Sequence, residues 1–207
     1  LELILGQHIG APCQPTVGKR DEIGEGAILG EVKKGLGVPL HAPVTGKIKD
    51  IGNSVHPIRV SAPSVTLTVN HEAEAVRYEK EAWQNLDAAE LLARVHDGGI
   101  IGIGGAGFPT HVKLKPPANS PVDTLILNGA ECEPYITADH RAMLEYSLEI
   151  VEGAKIILKI LGIKECHIGI ENNKPDAILA MTKVAEQVSG PDGAVKIRTL
   201  QVKYPQG

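Results

Sequence analysis

The sequence predicts an α+β chain in two parts: a small module of short strands, then a larger domain in which helices alternate with parallel strands. Three observations carry this reading. Gly or Pro recurs every few residues from Gly6 to Gly52, with short β-prone runs between them. From about residue 86, helical periodicity alternates with short apolar runs. A charged connector, EAEAVRYEKEAWQ, separates the two regions.

In the first region the candidate strands are AILGEV, GKIKDI, HPIRVSA and SVTLTVN. Short strands separated by turn residues suggest a small sandwich or barrel. VTLTVN alternates apolar and polar residues, as a half-buried strand does. In the second region, LDAAELLARVHDGG opens with Asp87 as N-cap and Glu90 three residues on, and stops at Gly98-Gly99. VDTLILN (122–128) reads as a buried strand. One helix is predicted over 138–161, ending at Gly162. ECHIGIE (165–171) is the next strand, followed by a helix with Pro175 in its first turn and Gly190 at its end. AVKIRTL (194–200) is the last strand. Strands alternating with helices imply crossover connections and a parallel sheet.

Composition excludes several classes. With 207 residues and a net charge of −4 there is no basic field for nucleic acid. One Trp and one Phe do not make a stacking platform for bases. No apolar run approaches the ~18 residues of a membrane span, so no direct membrane insertion is expected. Cys13, Cys132 and Cys166 are distant and odd in number. That pattern suits a reducing compartment and argues against a disulfide framework or a self-contained metal site. The histidines lack H-x-x-x-H spacing, so no metal site is expected. A first residue of Leu, with no basic leader, reads as a cytoplasmic piece of a longer protein.

The densest local signal is GIGGAGFPTHVKLK, residues 102–115. GIGGAG satisfies G-x-G-x-x-G, but a helix precedes it, and Asp123 begins the following strand instead of ending it. The dinucleotide fingerprint therefore fails its context, and with no G-K-[ST] the loop is not a P-loop. A tight turn explains the glycines equally well on spacing alone. Phe108-Pro109-Thr110 is expected to begin a helical turn whose amides point back into the loop. Lys113 could then reach a phosphate as a point charge. The next strand ends in NGAECEP (128–134), at the carboxyl end where open α/β sheets bind ligands, although a surface loop has the same composition. Glu171 and Asn172, at the following strand end, are expected to border the same crevice. Cys132 sits between two acidic residues and reads as a small packing residue, not a nucleophile.

GIGGAGFPTHVKL followed by LILNGAECEPYITADHR resembles the flavin-binding region of the RnfC family of Rnf electron-transport complex subunits. It is more distantly similar to the NADH-oxidising flavoprotein subunit of respiratory complex I. GQHIGAPCQP, VGKRDEIGEGAILGEV and LHAPVTGKI resemble the family's N-terminal barrel-sandwich hybrid module. The resemblance implies a barrel-sandwich hybrid over residues 1–75 and a Rossmann-like three-layer αβα domain, binding FMN and NADH, over 76–207. Gly102, Gly104, Gly105, Gly107 and Phe108 would form the flavin loop, with Lys113 facing phosphate; Asn128, Glu131 and Glu133 would be the strand-end polar set. Ile103 stands where the complex I flavoprotein has arginine, and Ala130 where it has aspartate; both remove charge. No catalytic residue is assigned.

The resemblance further implies electron transfer to 4Fe–4S clusters lying beyond this sequence. Partners would be the other subunits of a membrane complex, with the chain on its cytoplasmic face, or a soluble reductase acting on proline or cobalamin. A non-catalytic scaffold is the rival from another class. GEVKKGLGVPLHAPVTGKIKDI is also similar to biotinyl and lipoyl carriers, with Lys33 or Lys34 as the attachment site. The flanking residues typical of such lysines are missing, and an exposed lysine beside glycines is ordinarily just solvated.

Overall fold

The computed structural model describes residues 1–56, 58–79, 81–103, 107–189 and 193–204. The chain is mixed α/β and divides into two compact units: Leu1–Leu86 with Glu90–Lys115, and Asp87–Ala89 with Pro116–Gly207.

The first unit is built from β1 (Glu2–Ile4), β2 (Gln14–Pro15), β3 (Glu22–Ile23), β4 (Ile28–Glu31), β5 (Leu40–His41), β6 (Gly46–Val55) and β7 (Ser61–Val69). An antiparallel sheet runs β1-β7-β6-β3, and a second runs β2-β4-β5. In β7, Val65 and Leu67 point inward, with Thr66 between them and Thr68 following, so the expected alternation is present. They meet Leu5, Cys13, Leu29 and Ile48 in one apolar cluster. Each fully buried Leu or Ile there contributes about 1.5–3 kcal/mol through removal of apolar surface from water. A register shift between Ile48 and Asp50 bends β6 against β7, and such bulges increase local twist. The candidate run HPIRVSA straddles the β6–β7 connection instead of forming one strand.

α1 (Ala88–Asp97) is capped as expected, with the Asp87 carboxylate accepting from Ala89 N at 2.8 Å. The short strands β8 (Ile101–Gly102) and β9 (Phe108–Pro109) pair antiparallel, and α2 (Thr110–Lys113) follows.

The second unit holds β10 (Thr124–Asn128), α3 (Ala138–Glu145), α4 (Ser147–Leu161), β11 (Glu165–Glu171), α5 (Pro175–Val188) and β12 (Val195–Leu200). The sheet is parallel, in the order β10-β11-β12. Gly162 ends α4 in the left-handed conformation, and Pro175 opens α5; Gly190 lies outside the described residues. The single helix expected over 138–161 is two. Tyr146 leaves helical geometry (φ −127°) while its N–H still reaches Ala142 O, and the Ser147 hydroxyl donates to Met143 O.

The three-layer expectation is corrected. Cys166, Ile168, Ile170 and Val195 face a core completed by Met143, Val151, Leu158, Ala177 and Met181 of the three helices. On the other face Ile126 is 74% exposed, and Lys196 and Arg198 are exposed. Among the described residues the helices therefore cover one face of the sheet. The strand order explains it. Right-handed crossovers between strands taken in sequence pass over the same face, and only a reversal of order sends helices to both.

Candidate functional site

In the first unit, the glycine loop is the connection of a small hairpin. Ile101 pairs with Pro109 and Gly102 with Phe108. Gly104 and Gly105 lie outside the described residues. Phe108 and Pro109 form a strand, not the helical turn expected from the sequence, because a residue preceding proline is driven to extended geometry. Helix α2 is only four residues long, and its first amide, Thr110 N, is bonded to Ile100 O at 3.0 Å. The expected set of amides aimed into the loop is thus not formed by this helix.

The lysine does meet the loop. A Cβ added to Gly102 would fall 2.7 Å from Lys113 Nζ, so the ammonium occupies space that any side chain at 102 would contest. Gly107 is held at φ +66°, donates to Gly102 O and accepts from Ile9 N, each at 3.2 Å. These bonds fix one end of the loop to the segment preceding β2. A crevice of about 460 Å3 opens there, with Gln7, His8 and Ile9 on one side and Ile101, Ile103 and Gly107 on the other. Ile103, standing where the distant flavoprotein has arginine, is 86% exposed. Sequence reasoning missed His111. Its Nδ1 is buried and has no hydrogen-bond partner among the described residues, and its ring packs edge-on to His96 at 4.6 Å. Burial, then the neighbouring His96 and Lys115, holds its pKa below the ordinary histidine value.

In the second unit, the three strand ends converge on another crevice of about 480 Å3, lined by Asn128, Ala130, Glu171, Leu200, Gln201 and Lys203. Asn128 Oδ1 accepts from Ala130 N at 3.0 Å, turning the chain sharply off β10. Glu131 directs its carboxylate to Asp139 N (2.8 Å) and His140 N (3.3 Å), where it caps α3. Glu133 is exposed. Tyr135, also exposed, holds φ +66°, a conformation unusual for an aromatic residue.

Beneath this loop lies a buried ion pair. Glu171 is 4% exposed and Lys174 7%, with Oε2 and Nζ 2.5 Å apart. The same Oε2 accepts from Glu131 N at 3.2 Å. Lys174, then the Glu131 amide, holds the Glu171 carboxyl below its usual range. Asp139 is shifted the other way, by burial and then by Glu131. Of the two residues expected to border the crevice, Glu171 lines it and Asn172 is not in its lining, whereas Lys174 and Lys203 were not expected; the i,i+3 spacing of Glu171 and Lys174 on either side of a helix start was the available signal. Cys132 is half-buried, and Cys13 and Cys166 are core residues. Burial pushes the Cys166 thiol up to about 11.

Two described domain families match the chain, and their boundary differs from that of the two units, since residues 95–115 of the second match lie in the first unit. Residues 1–72 match the RnfC barrel sandwich hybrid domain, and residues 95–207 match the Nuo51 FMN-binding domain. The chain is thus of the class that joins a barrel-sandwich module to an FMN-binding domain. It is 42% identical over 203 residues to the C subunit of the proton-translocating ferredoxin:NAD(+) oxidoreductase complex of Clostridium ljungdahlii, covering 97% of this chain and 43% of that protein. It is 39% identical to the Na(+)-translocating counterpart of Acetobacterium woodii, covering 97% and 45%. The chain belongs to the RnfC family of Rnf electron-transport complex subunits. It spans less than half the length of these two relatives. Among solved structures, an NAD+-reducing NiFe hydrogenase chain matches with TM-score 0.47 and 24% identity over 56% of this chain and 22% of that one.

Proposed function

We propose that this chain binds FMN and NADH as the NADH-oxidising part of a subunit of an Rnf-type ion-translocating complex, with electrons leaving to 4Fe–4S clusters held outside these residues. One observation supports the reading above others: the Lys113 ammonium rests against Gly102, a position at which any Cβ would contest it. A cation held over a glycine-rich loop fits a terminal phosphate. Bound FMN would supply the chemistry of accepting a hydride and releasing electrons singly.

The protein's own contribution is placement. Lys113 neutralises the phosphate. Gly102 and Gly107, with Gly104 and Gly105, admit it closely, and Phe108 shapes the loop's exit. In the second unit, Asn128, with Glu133 and the loop held by Glu131, presents polar groups for flavin edges or nicotinamide ribose. The relatives named above are subunits of ion-translocating complexes, which supports a membrane-complex partner. Nothing in them favours delivery to a soluble reductase, and that alternative is dropped. No helix among the described residues is long and apolar enough to cross a membrane, consistent with a peripheral place on the cytoplasmic face.

The test is fluorescence titration of the chain with FMN against riboflavin. A charge-assisted phosphate contact of about 1.5–3 kcal/mol gives FMN an advantage of roughly tenfold to a hundredfold. Equal affinities would refute the phosphate cradle, and no binding of either would favour the scaffold reading.

A further inference from the structure

The end of the β6–β7 hairpin carries a feature that flavin and nicotinamide binding do not use. Val55, Ile58 and Val60 are 87, 91 and 97% exposed. Single exposed apolar residues are ordinary, but three within one turn are not. Beside them, His56 Nδ1 accepts from both Ile58 N and Arg59 N at 3.1 Å.

The charge around them is one-sided. Residues 3–20 and 51–71 contain no Asp or Glu, in a chain that has 25 acidic residues and a net charge of −4. A crevice of about 240 Å3 places His56 and Arg59 beside His8, Gly10 and Pro12. The neighbouring loop bears exposed Lys33 and Lys34 and is bonded to this segment through Ala11 N to Leu36 O at 2.9 Å. Glu31, at the start of that loop, is its only acid.

We propose that this end of the first unit docks on an anionic lipid surface, with Val55, Ile58 and Val60 entering the interface and Arg59, Lys33 and Lys34 facing the headgroups. An apolar projection backed by cations combines the two weak signals that together hold a protein at a bilayer. The contact is superficial: no helix among the described residues is long and apolar enough to cross a membrane.

The test is co-sedimentation of the purified chain with vesicles of equal parts phosphatidylglycerol and phosphatidylcholine, and with phosphatidylcholine alone. The chain should favour the anionic vesicles by about fivefold or more, one cation near such a surface contributing roughly that much. The triple variant Val55→Thr, Ile58→Thr, Val60→Thr keeps β-branched residues and should lower partitioning by about tenfold or more. Arg59→Glu should lower it by about fivefold or more. Leu179→Ser removes an apolar side chain that is 73% exposed on α5 and should change nothing. Absence of binding by the parent chain, or equal binding by the triple variant, overturns the proposal. Tip-dependent dimers in sedimentation velocity without vesicle binding would assign the tip to a second copy and also overturn it.

Discussion

Gly102→Ala is the sharpest probe of the glycine loop, because it adds one methyl group against one charge. The new Cβ would stand 2.7 Å from Lys113 Nζ, whereas ordinary contact begins at 3.4 Å, so the ammonium must withdraw by at least the 0.7 Å difference. The obstacle is the far end of a flexible, exposed side chain, and Gly102 is not in the left-handed region. Folding should therefore be nearly unaffected. Moving a unit charge from about 2.9 to 3.6 Å from a phosphate oxygen costs about 1 kcal/mol per phosphate charge at an effective dielectric of ~20, less where solvent screens it. Gly102→Ala should then weaken FMN about fivefold and leave riboflavin unchanged. Lys113→Ala removes the contact altogether and should weaken FMN about tenfold, near the lower end for a charge-assisted bond because the lysine is exposed. Since both changes act through one contact, the double variant should match Lys113→Ala within about twofold. Fluorescence titration of the four proteins with FMN and riboflavin completes the cycle. Additive losses, or equal losses for both flavins, would refute a phosphate role for Lys113.

Four further outcomes are expected. Glu131→Ala removes the carboxylate that caps α3 and should cost about 1 kcal/mol of stability in thermal melts; a ligand-affinity loss much larger than the stability loss would show a second, ligand-facing role. Lys174→Met leaves Glu171 buried and unpaired and should destabilise by about 3–5 kcal/mol, while Glu171→Leu with Lys174→Met should cost far less than the sum. Because the Glu171 carboxyl titrates below its ordinary value, its stabilising contribution is complete above about pH 4.3 and is lost as pH falls through the depressed folded-state value. Urea melts of Glu171→Gln should lack that acid-side decline. Under iodoacetamide at mild alkaline pH, Cys132 should be alkylated well before the buried Cys13 and Cys166, as read by peptide mass.

The sequence made legible what periodicity and caps encode locally: the Asp87 cap, the Gly162 stop, the alternation in β7 and the three parallel strands. It did not reveal what depends on distant partners. Glu131 caps a helix whose first bonded amide is eight residues away, beyond any capping-box spacing, so the cap has no local signature in the sequence. Phe108 read as a helix start because Pro109 suits one, but the pairing with Gly102 across the loop decided its geometry. Lys174 has its buried partner in Glu171, at the end of β11, a pairing that only the folded chain brings about.

The uninterrupted strand order has a consequence for the second unit's chemistry. A doubly wound sheet opens its ligand crevice where adjacent crossovers diverge to opposite faces. Here both crossovers pass over one face, so the crevice at the carboxyl ends is shaped by side chains and strand-end loops alone. Glu171 Oε2 is occupied by Lys174 and the Glu131 amide, and Asn128 Oδ1 by Ala130 N. Besides the second Glu171 carboxylate oxygen, the crevice lining offers the Asn128 amino group, Gln201 and the Lys203 ammonium. With the Glu171 charge matched by Lys174, the Lys203 ammonium is the charge left on the lining, which suits an anionic ligand in spite of the two acidic residues in the NGAECEP motif. Lys203→Glu should therefore weaken NADH binding by more than Glu133→Gln does, with stability unchanged in both, since each side chain is exposed. The reverse order of effects would return the recognition of NADH to the carboxylates.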